Sequence, residues 1–122
     1  RSRKKMEKVF ESEYRFFFVI WENEPLSSPR LVELCSGQLG WKKSTTYTVL
    51  RKLAEKGMVR NENTIVTSLV SKEQVDRQAS DELLERTTGG DVPQFLAAFL
   101  KDRKLTSKEA ARIKKLIEEA EE

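Results

Sequence analysis

The sequence predicts a mainly α-helical protein carrying one small β-hairpin, and three observations lead there. Only five Gly and three Pro punctuate 122 residues, of which 38% are hydrophobic and 35% charged. That balance suits a helix-rich globular chain and argues against disorder, a many-turned β-sandwich or a collagen-like sequence. Helix start signals recur along the chain, at Ser28-Pro29, Ser71-x-x-Gln74, Asp91-x-x-Gln94 and Thr106-x-x-Glu109. Two β-prone runs, Met58-Val59-Arg60 and Thr64-Ile65-Val66-Thr67, flank Asn61-Glu62-Asn63. Asn tolerates positive φ, so the segment reads as a hairpin turning at Asn61–Asn63. A chain of this length makes one domain or two very small ones, and either core is thin.

The first helix is predicted from about Ser12 to Glu22. It is apolar on nearly every side, with Tyr14, Phe17, Ile20 and Trp21 as the expected core and Phe18 pointing away towards some other cover. Pro25-Leu26-Ser27 reads as a turn or a very short strand. Ser28 is the expected N-cap of a second helix, with Pro29 in its first position and Leu31, Val32, Leu34 and Cys35 as apolar members, stopping near Gly37. A third helix follows Gly40-Trp41 and ends at Gly57, a fitting left-handed residue.

Helix three carries the most informative pattern. At about 100° per residue, Thr46, Val49, Leu50 and Leu53 gather on one side. Ser44, Thr48 and Arg51 gather on the other, flanked by Tyr47 and Lys52, with Thr45 at the N-terminal edge. One face is core; the other is a column of hydroxyls and cations with no carboxylate before Glu55. Three helices, a cationic third helix and then a hairpin is the order of a winged helix-turn-helix domain, assigned here to residues 1–70.

Residues 71–122 read as a helical region with helices over roughly 72–87, 92–102 and 107–120, the first two separated by Gly89-Gly90. Val92, Phe95, Leu96, Phe99 and Leu100 form one helical stripe; Ala110, Ile113, Leu116, Ile117 and Ala120 form another. So few apolar residues cannot support a domain alone. A second copy supplying the same stripes completes the core, so Phe95, Leu96, Phe99, Leu100, Ile113, Leu116 and Ile117 are the expected dimerisation residues.

Several function classes are excluded by composition. The sequence has no His and a single cysteine, Cys35. Imidazole acid–base chemistry, Cys-cluster zinc sites and an intrachain disulfide are therefore ruled out, and no metal or other cofactor is expected. The Glu residues fall at capping or solvated positions with no paired constellation, so the chain reads as a non-enzyme. No apolar run approaches the roughly 20 residues needed to span a bilayer, and no small-residue cleavage site follows the basic Arg1-Ser2-Arg3-Lys4-Lys5 arm. Membrane insertion and a signal peptide are not expected, which makes the reducing cytoplasm the expected compartment.

Charge is divided along the chain. The net +3 splits into +5 over residues 1–66 and −2 over residues 67–122. Between Gly40 and Arg60 stand Lys42, Lys43, Arg51, Lys52, Lys56 and Arg60 against Glu55 alone. A basic half suits a polyanion.

At this point the residues resemble a known family, the penicillinase repressors (the BlaI/MecI family). The resemblance spans roughly Glu13 to Glu118. It rests on Glu13 and Trp21, Trp41-x-x-x-Thr45, Leu50-x-x-Leu53-x-x-x-Gly57 and Ser68-Leu69-Val70-Ser71-Lys72-Glu73. Arg77-Gln78-x-Ser80, Leu83-Leu84, Gly89-Gly90, Phe99-Leu100 and Leu105-Thr106 follow in the family's order. It implies a bacterial homodimeric repressor on a palindromic operator near β-lactam-resistance genes, released when a membrane sensor protease triggers cleavage in the C-terminal region. By alignment the scissile bond lies between Ala98 and Phe99, where familiar members carry Asn before the Phe. The wing is about four residues shorter than is usual in the family and bears Glu62. Lys42 replaces the Ser that often follows the tryptophan.

In such a domain helix three enters the major groove with its first turns towards the bases. Ser44, Thr45 and Thr48 are then the expected base readers, through hydroxyl hydrogen bonds and methyl contacts with thymine. Tyr47 and Arg51 are expected at the phosphates, joined by Lys42, Lys43, Lys52 and Arg60, which set register. Two other readings fit the same fold: a repressor of this superfamily answering another signal, and a protein-interaction adaptor docking through a patch that includes Phe18. A copper-responsive relative would need a Cys-rich tail, and Glu118-Glu119-Ala120-Glu121-Glu122 is not one.

Overall fold

The computed structural model describes residues 8–122. Its elements are α1 (Glu11–Asn23), β1 (Leu26–Ser27), α2 (Ser28–Leu39), α3 (Lys43–Glu55), β2 (Val59–Glu62), β3 (Ile65–Ser68), α4 (Lys72–Thr88), α5 (Val92–Leu100) and α6 (Ser107–Ala120). The three strands form one antiparallel sheet in the order β1-β3-β2. Three helices, the short β1 and the β2–β3 hairpin make a winged helix-turn-helix, as the order of sequence patterns predicts.

The nearly all-round apolarity of α1 has a physical reason. It packs on α2 along one side and on β3 along another, so Phe16, Phe17, Val19 and Ile20 are all buried. They join Leu26, Leu31, Cys35, Leu50, Leu53, Met58, Val59 and Val66 in one core. The expected core pair Tyr14 and Trp21 lies instead at the edge, with Phe16 and Val19 inside. Each edge aromatic keeps its ring on apolar neighbours and its polar tip bonded, as amphipathic aromatics do. Tyr14 Oη donates to Asp76 Oδ1 at 2.9 Å, and Trp21 Nε1 donates to the Val70 carbonyl at 3.0 Å. Phe18 does turn away and is 42% exposed.

Both ends of α2 differ from expectation. Ser27, not Ser28, caps α2: its hydroxyl accepts from the Arg30 N–H at 3.2 Å. Ser28 is one residue inside, buried, and spends its own N–H on the Thr64 carbonyl at 2.8 Å. The cap moves because the sheet claims the Ser28 backbone. α2 also continues through Gly37 to Leu39, which packs against the core, and stops at Gly40 with φ 71°. Gly37 sits inside the helix at a small cost, and Gly40 is the left-handed stop.

The hairpin is tighter than the sequence suggests. Glu62 pairs with Ile65, so Asn61 and Glu62 belong to β2 and only Asn63 and Thr64 turn, at φ 52° and 62°. Two consecutive positive φ values match the right-handed twist of the strands they join. At the hairpin's other end the Glu24 carboxylate accepts from both the Ser68 N–H at 2.7 Å and its hydroxyl at 2.9 Å. That carboxylate ties the sheet to the end of α1.

The chain divides into two compact units, one ending at Glu82 and the other running from Leu83 to Glu122. The break therefore falls inside α4, whereas sequence places it at 70–71. Early α4 belongs with the winged unit because Val75 is buried there and Asp76 receives the Tyr14 hydroxyl. Lys72 Nζ reaches the same carboxylate at 2.6 Å. This ammonium, followed by the Tyr14 hydroxyl, holds the Asp76 carboxyl below its ordinary range.

In the second unit the two expected caps are present. Asp91 accepts from the Gln94 N–H at 2.9 Å. Thr106 and Glu109 form a reciprocal capping box at 3.0 and 2.9 Å. α5 ends at Leu100, two residues short of the predicted 102, because Asp102 turns to φ 62°. Phe95 and Phe99 stack at 6.3 Å between ring centroids, and Arg103 lies over the Phe99 ring at 4.2 Å. None of residues 83–122 is buried. The basic arm Arg1-Ser2-Arg3-Lys4-Lys5 lies outside the described residues.

Candidate nucleic-acid interface

The site is built on α3, and its inner face explains its outer one. Thr46, Leu50 and Leu53 are buried, which fixes the helix rotation. Thr46 also donates its hydroxyl to the Lys42 carbonyl at 3.3 Å and hydrogen-bonds the Cys35 thiol. Burial pushes that thiol up to about 11, so Cys35 is a protonated core residue at neutral pH.

With the inner face committed, Ser44, Thr45, Thr48, Arg51 and Lys52 are all exposed, as are Lys42 and Lys43 just before them. Their spacing over one helix brings seven of the nine expected DNA-contacting residues together. Lys42, Lys43, Arg51 and Lys52 form no ion pair among the described residues. Their charge is therefore available to an incoming anion.

Lys42 is the N-cap of α3 and makes no side-chain cap bond. The first-turn N–H groups thus have no capping oxygen from it, and the positive end of the helix dipole coincides with Lys42 and Lys43. Such an end favours a phosphate oxygen.

Tyr47 and Arg60, the remaining two, are placed differently. Tyr47 is half-buried against the core, and its hydroxyl lies 3.5 Å from Ser28 Oγ. Because the Ser28 N–H bonds the Thr64 carbonyl, a polar relay connects α3, the start of α2 and the turn of the hairpin. The wing tip and the outer face of α3 therefore share one end of the unit. Arg60 lies on β2 and faces Glu62, Nε to Oε2 3.8 Å. The sequence does not show this relay, because its patterns predict a turn over Asn61–Asn63 and a strand at Thr64, whereas the turn residues are Asn63 and Thr64. Its only sequence signal was the Ser27-Ser28 pair, of which one hydroxyl caps and the other is free to bond elsewhere.

The residues expected at the dimer belong to the second unit. Phe99, Leu116 and Ile117 are 49%, 58% and 53% exposed, and Phe95, Leu96, Leu100 and Ile113 are half-buried. Ala98 is exposed beside Phe99. Among the described residues no group of three or more Cys, Asp or Glu side chains could hold a metal ion, and no helix is long and apolar enough to cross a membrane.

Comparison with known proteins points the same way. The chain is similar to the solution structure of the DNA-binding domain of the repressor BlaI, with a TM-score of 0.50 and 21% identity, covering 59% of this chain and 93% of that one. At that identity the likeness is one of fold. It is 23% identical over 113 residues to an uncharacterized 16.5 kDa protein of the ptsI 3' region of Latilactobacillus sakei, covering 89% of this chain and 77% of that protein. The sequence model of the penicillinase repressors matches residues 10–119. A match over nearly the whole chain, on a winged fold with a cationic third helix, makes this protein a member of the penicillinase repressor family.

Proposed function

We propose that the protein is a DNA-binding transcriptional repressor that acts as a homodimer on a palindromic operator. The observation that carries the reading is the two-faced α3, whose core side is Thr46, Leu50 and Leu53 and whose exposed side bears hydroxyls and unpaired cations. In the major groove Ser44, Thr45 and Thr48 meet base edges and thymine methyls. Lys42, Lys43, Arg51 and Lys52 meet phosphates, with the Tyr47 hydroxyl within reach of the backbone and Arg60 on the wing.

One such unit makes modest contact, so specificity calls for two half-sites held at a set spacing. The apolar stripes of α5 and α6, in which Phe99, Leu116 and Ile117 are exposed and Phe95, Leu96, Leu100 and Ile113 half-buried, supply the pairing surface. Cutting α5, at Ala98–Phe99 or nearby, separates the two readers and lowers operator occupancy without touching α3. A membrane sensor protease is the fitting agent for that cut, resistance genes of the β-lactam type are the fitting targets, and the cytoplasm is the fitting compartment.

The test is duplex binding by fluorescence anisotropy across a salt series. A palindromic duplex recovered by selection from a random pool should bind with an affinity that falls steeply as salt rises. Thr48→Ala should lose discrimination between bases, and Arg51→Ala should weaken all duplexes and flatten the salt slope by about one. Salt-insensitive binding, or none to any duplex, would remove the proposal and leave the docking reading in which exposed Phe18 is the contact.

A further inference from the structure

The wing bears one cation and one carboxylate on the same face. Arg60 and Glu62 are two residues apart on β2, so their side chains project from the same side of the sheet. Val59 and Val66, on the other side, are buried. Arg60 and Glu62 are both well exposed and lie 3.8 Å apart. Glu62 is the last strand residue before the two-residue turn, paired with Ile65. The Thr64 carbonyl of that turn accepts from Ser28, whose hydroxyl lies 3.5 Å from the Tyr47 phenol of α3. The turn is thereby held at the end of the unit where the outer face of α3 is exposed.

Resting on the DNA-binding reading above, we propose that Glu62 is a negative determinant of DNA affinity. Its carboxylate stands exposed on the hairpin whose turn is tied through Ser28 towards Tyr47 of α3, and it faces the guanidinium of Arg60, the one cation of the hairpin. The pair is weak, being exposed and not bidentate, yet against a phosphate its effect is twofold. A like charge is brought to the polyanion, and a cation that would contact it is partly neutralised. The wing then contributes little sequence-independent attraction. Binding relies on α3 and on pairing of two subunits, so that loss of the dimer releases the operator more completely than it would with a basic wing.

The full-length protein with Glu62→Gln tests this. The substitution keeps the shape of the side chain and removes its charge. Affinity for the selected palindrome and for a random-sequence duplex should both rise, about three- to tenfold at roughly 50 mM salt, with the salt slope steeper by about one. In an Arg60→Ala background the same change should give a smaller gain, the part owed to relief of like-charge repulsion alone, because no guanidinium is left to release. Glu73→Gln, on exposed α4 beyond the base of the hairpin, adds the same net charge and should change affinity less than twofold. Equal gains from Glu73→Gln would assign the effect to net charge and overturn the local role. Unchanged or weaker binding by Glu62→Gln, at an unaltered thermal midpoint, would overturn it too. Failure of the parent protein to bind any duplex strikes the DNA-binding reading instead, and is seen before a variant is made.

Discussion

The two compact units of this chain solve the problem of a thin core in opposite ways. The winged unit folds three helices and three strands around Phe16, Phe17, Ile20, Leu31, Leu50, Leu53 and Val66, each no more than 2% exposed. The second unit, with stripes just as regular, buries no residue at all. Periodicity alone therefore does not make a core. In the first unit the apolar faces of α1, α2 and α3 meet one another and the sheet. In the second, the faces of α5 and α6 leave Phe99, Leu116 and Ile117 about half exposed.

The sharpest way to break that contrast is to cut into each unit in turn. Phe16→Ala, which also removes the stacking of Phe16 on Trp41 at 5.5 Å, should lower the unfolding free energy of the winged unit by about 3–5 kcal/mol. Chemical denaturation followed by tryptophan fluorescence reports it. A loss under about 1 kcal/mol would mean the core is far looser than its burial implies.

The double substitution Leu116→Glu with Ile117→Glu should have the complementary effect. It should leave the denaturation midpoint of the winged unit in place and convert dimer to monomer in sedimentation equilibrium. Operator affinity should fall by about 100-fold or more, as the linked second site is lost. A variant that stays dimeric would move the pairing surface off α6.

A smaller effect is expected where α4 joins the winged unit. Tyr14→Phe removes the hydroxyl that donates to Asp76 and should cost about 1 kcal/mol. The Asp76 carboxyl is held low by Lys72 first and the Tyr14 hydroxyl second, so its contribution is present at neutral pH. It is lost as pH falls from the ordinary carboxylate range through the lowered one, where the unfolded chain takes up the proton first. Asp76→Asn should accordingly flatten the acid limb of stability as pH falls through and below the ordinary carboxylate range. An acid limb identical to the parent's would show that the pair is too well solvated to matter.

Much of this fold is legible along the chain because its signals are local. Side-chain caps at Asp91 and Thr106 and the two faces of α3 depend on residues within a turn or two of each other. The structure departs from the local pattern where distant groups intervene. Ser28 looked like the cap of α2, yet the Thr64 carbonyl, far along the chain, takes its N–H and leaves capping to Ser27. Gly37 looked like a helix stop, yet Leu39 has a place on the core and the helix continues to reach it. Tyr14 and Trp21 looked like core, yet their polar tips draw them to Asp76 and Val70 at its edge.

The candidate interface divides in the same manner. Ser44, Thr45, Thr48, Arg51 and Lys52 were readable because one helix, with one buried face, dictates what its other face shows. That the wing's Arg60 faces Glu62, and that the turn is tied through Ser28 towards Tyr47, were not readable. Both depend on where the turn falls: Glu62 pairs with Ile65, so it stays in the strand two residues from Arg60 on one face, and Thr64 enters the turn.

By itself, then, the sequence determined the helices, the caps at Asp91 and Thr106, the charge division and the two faces of α3, since each follows from propensity and spacing over a few residues. Only the tertiary structure decided which aromatics of α1 are inside, where α4 changes allegiance between units, and what the wing holds against its one cation. Those outcomes depend on which distant groups compete for the same hydrogen bond or the same space, and no local pattern contains that competition.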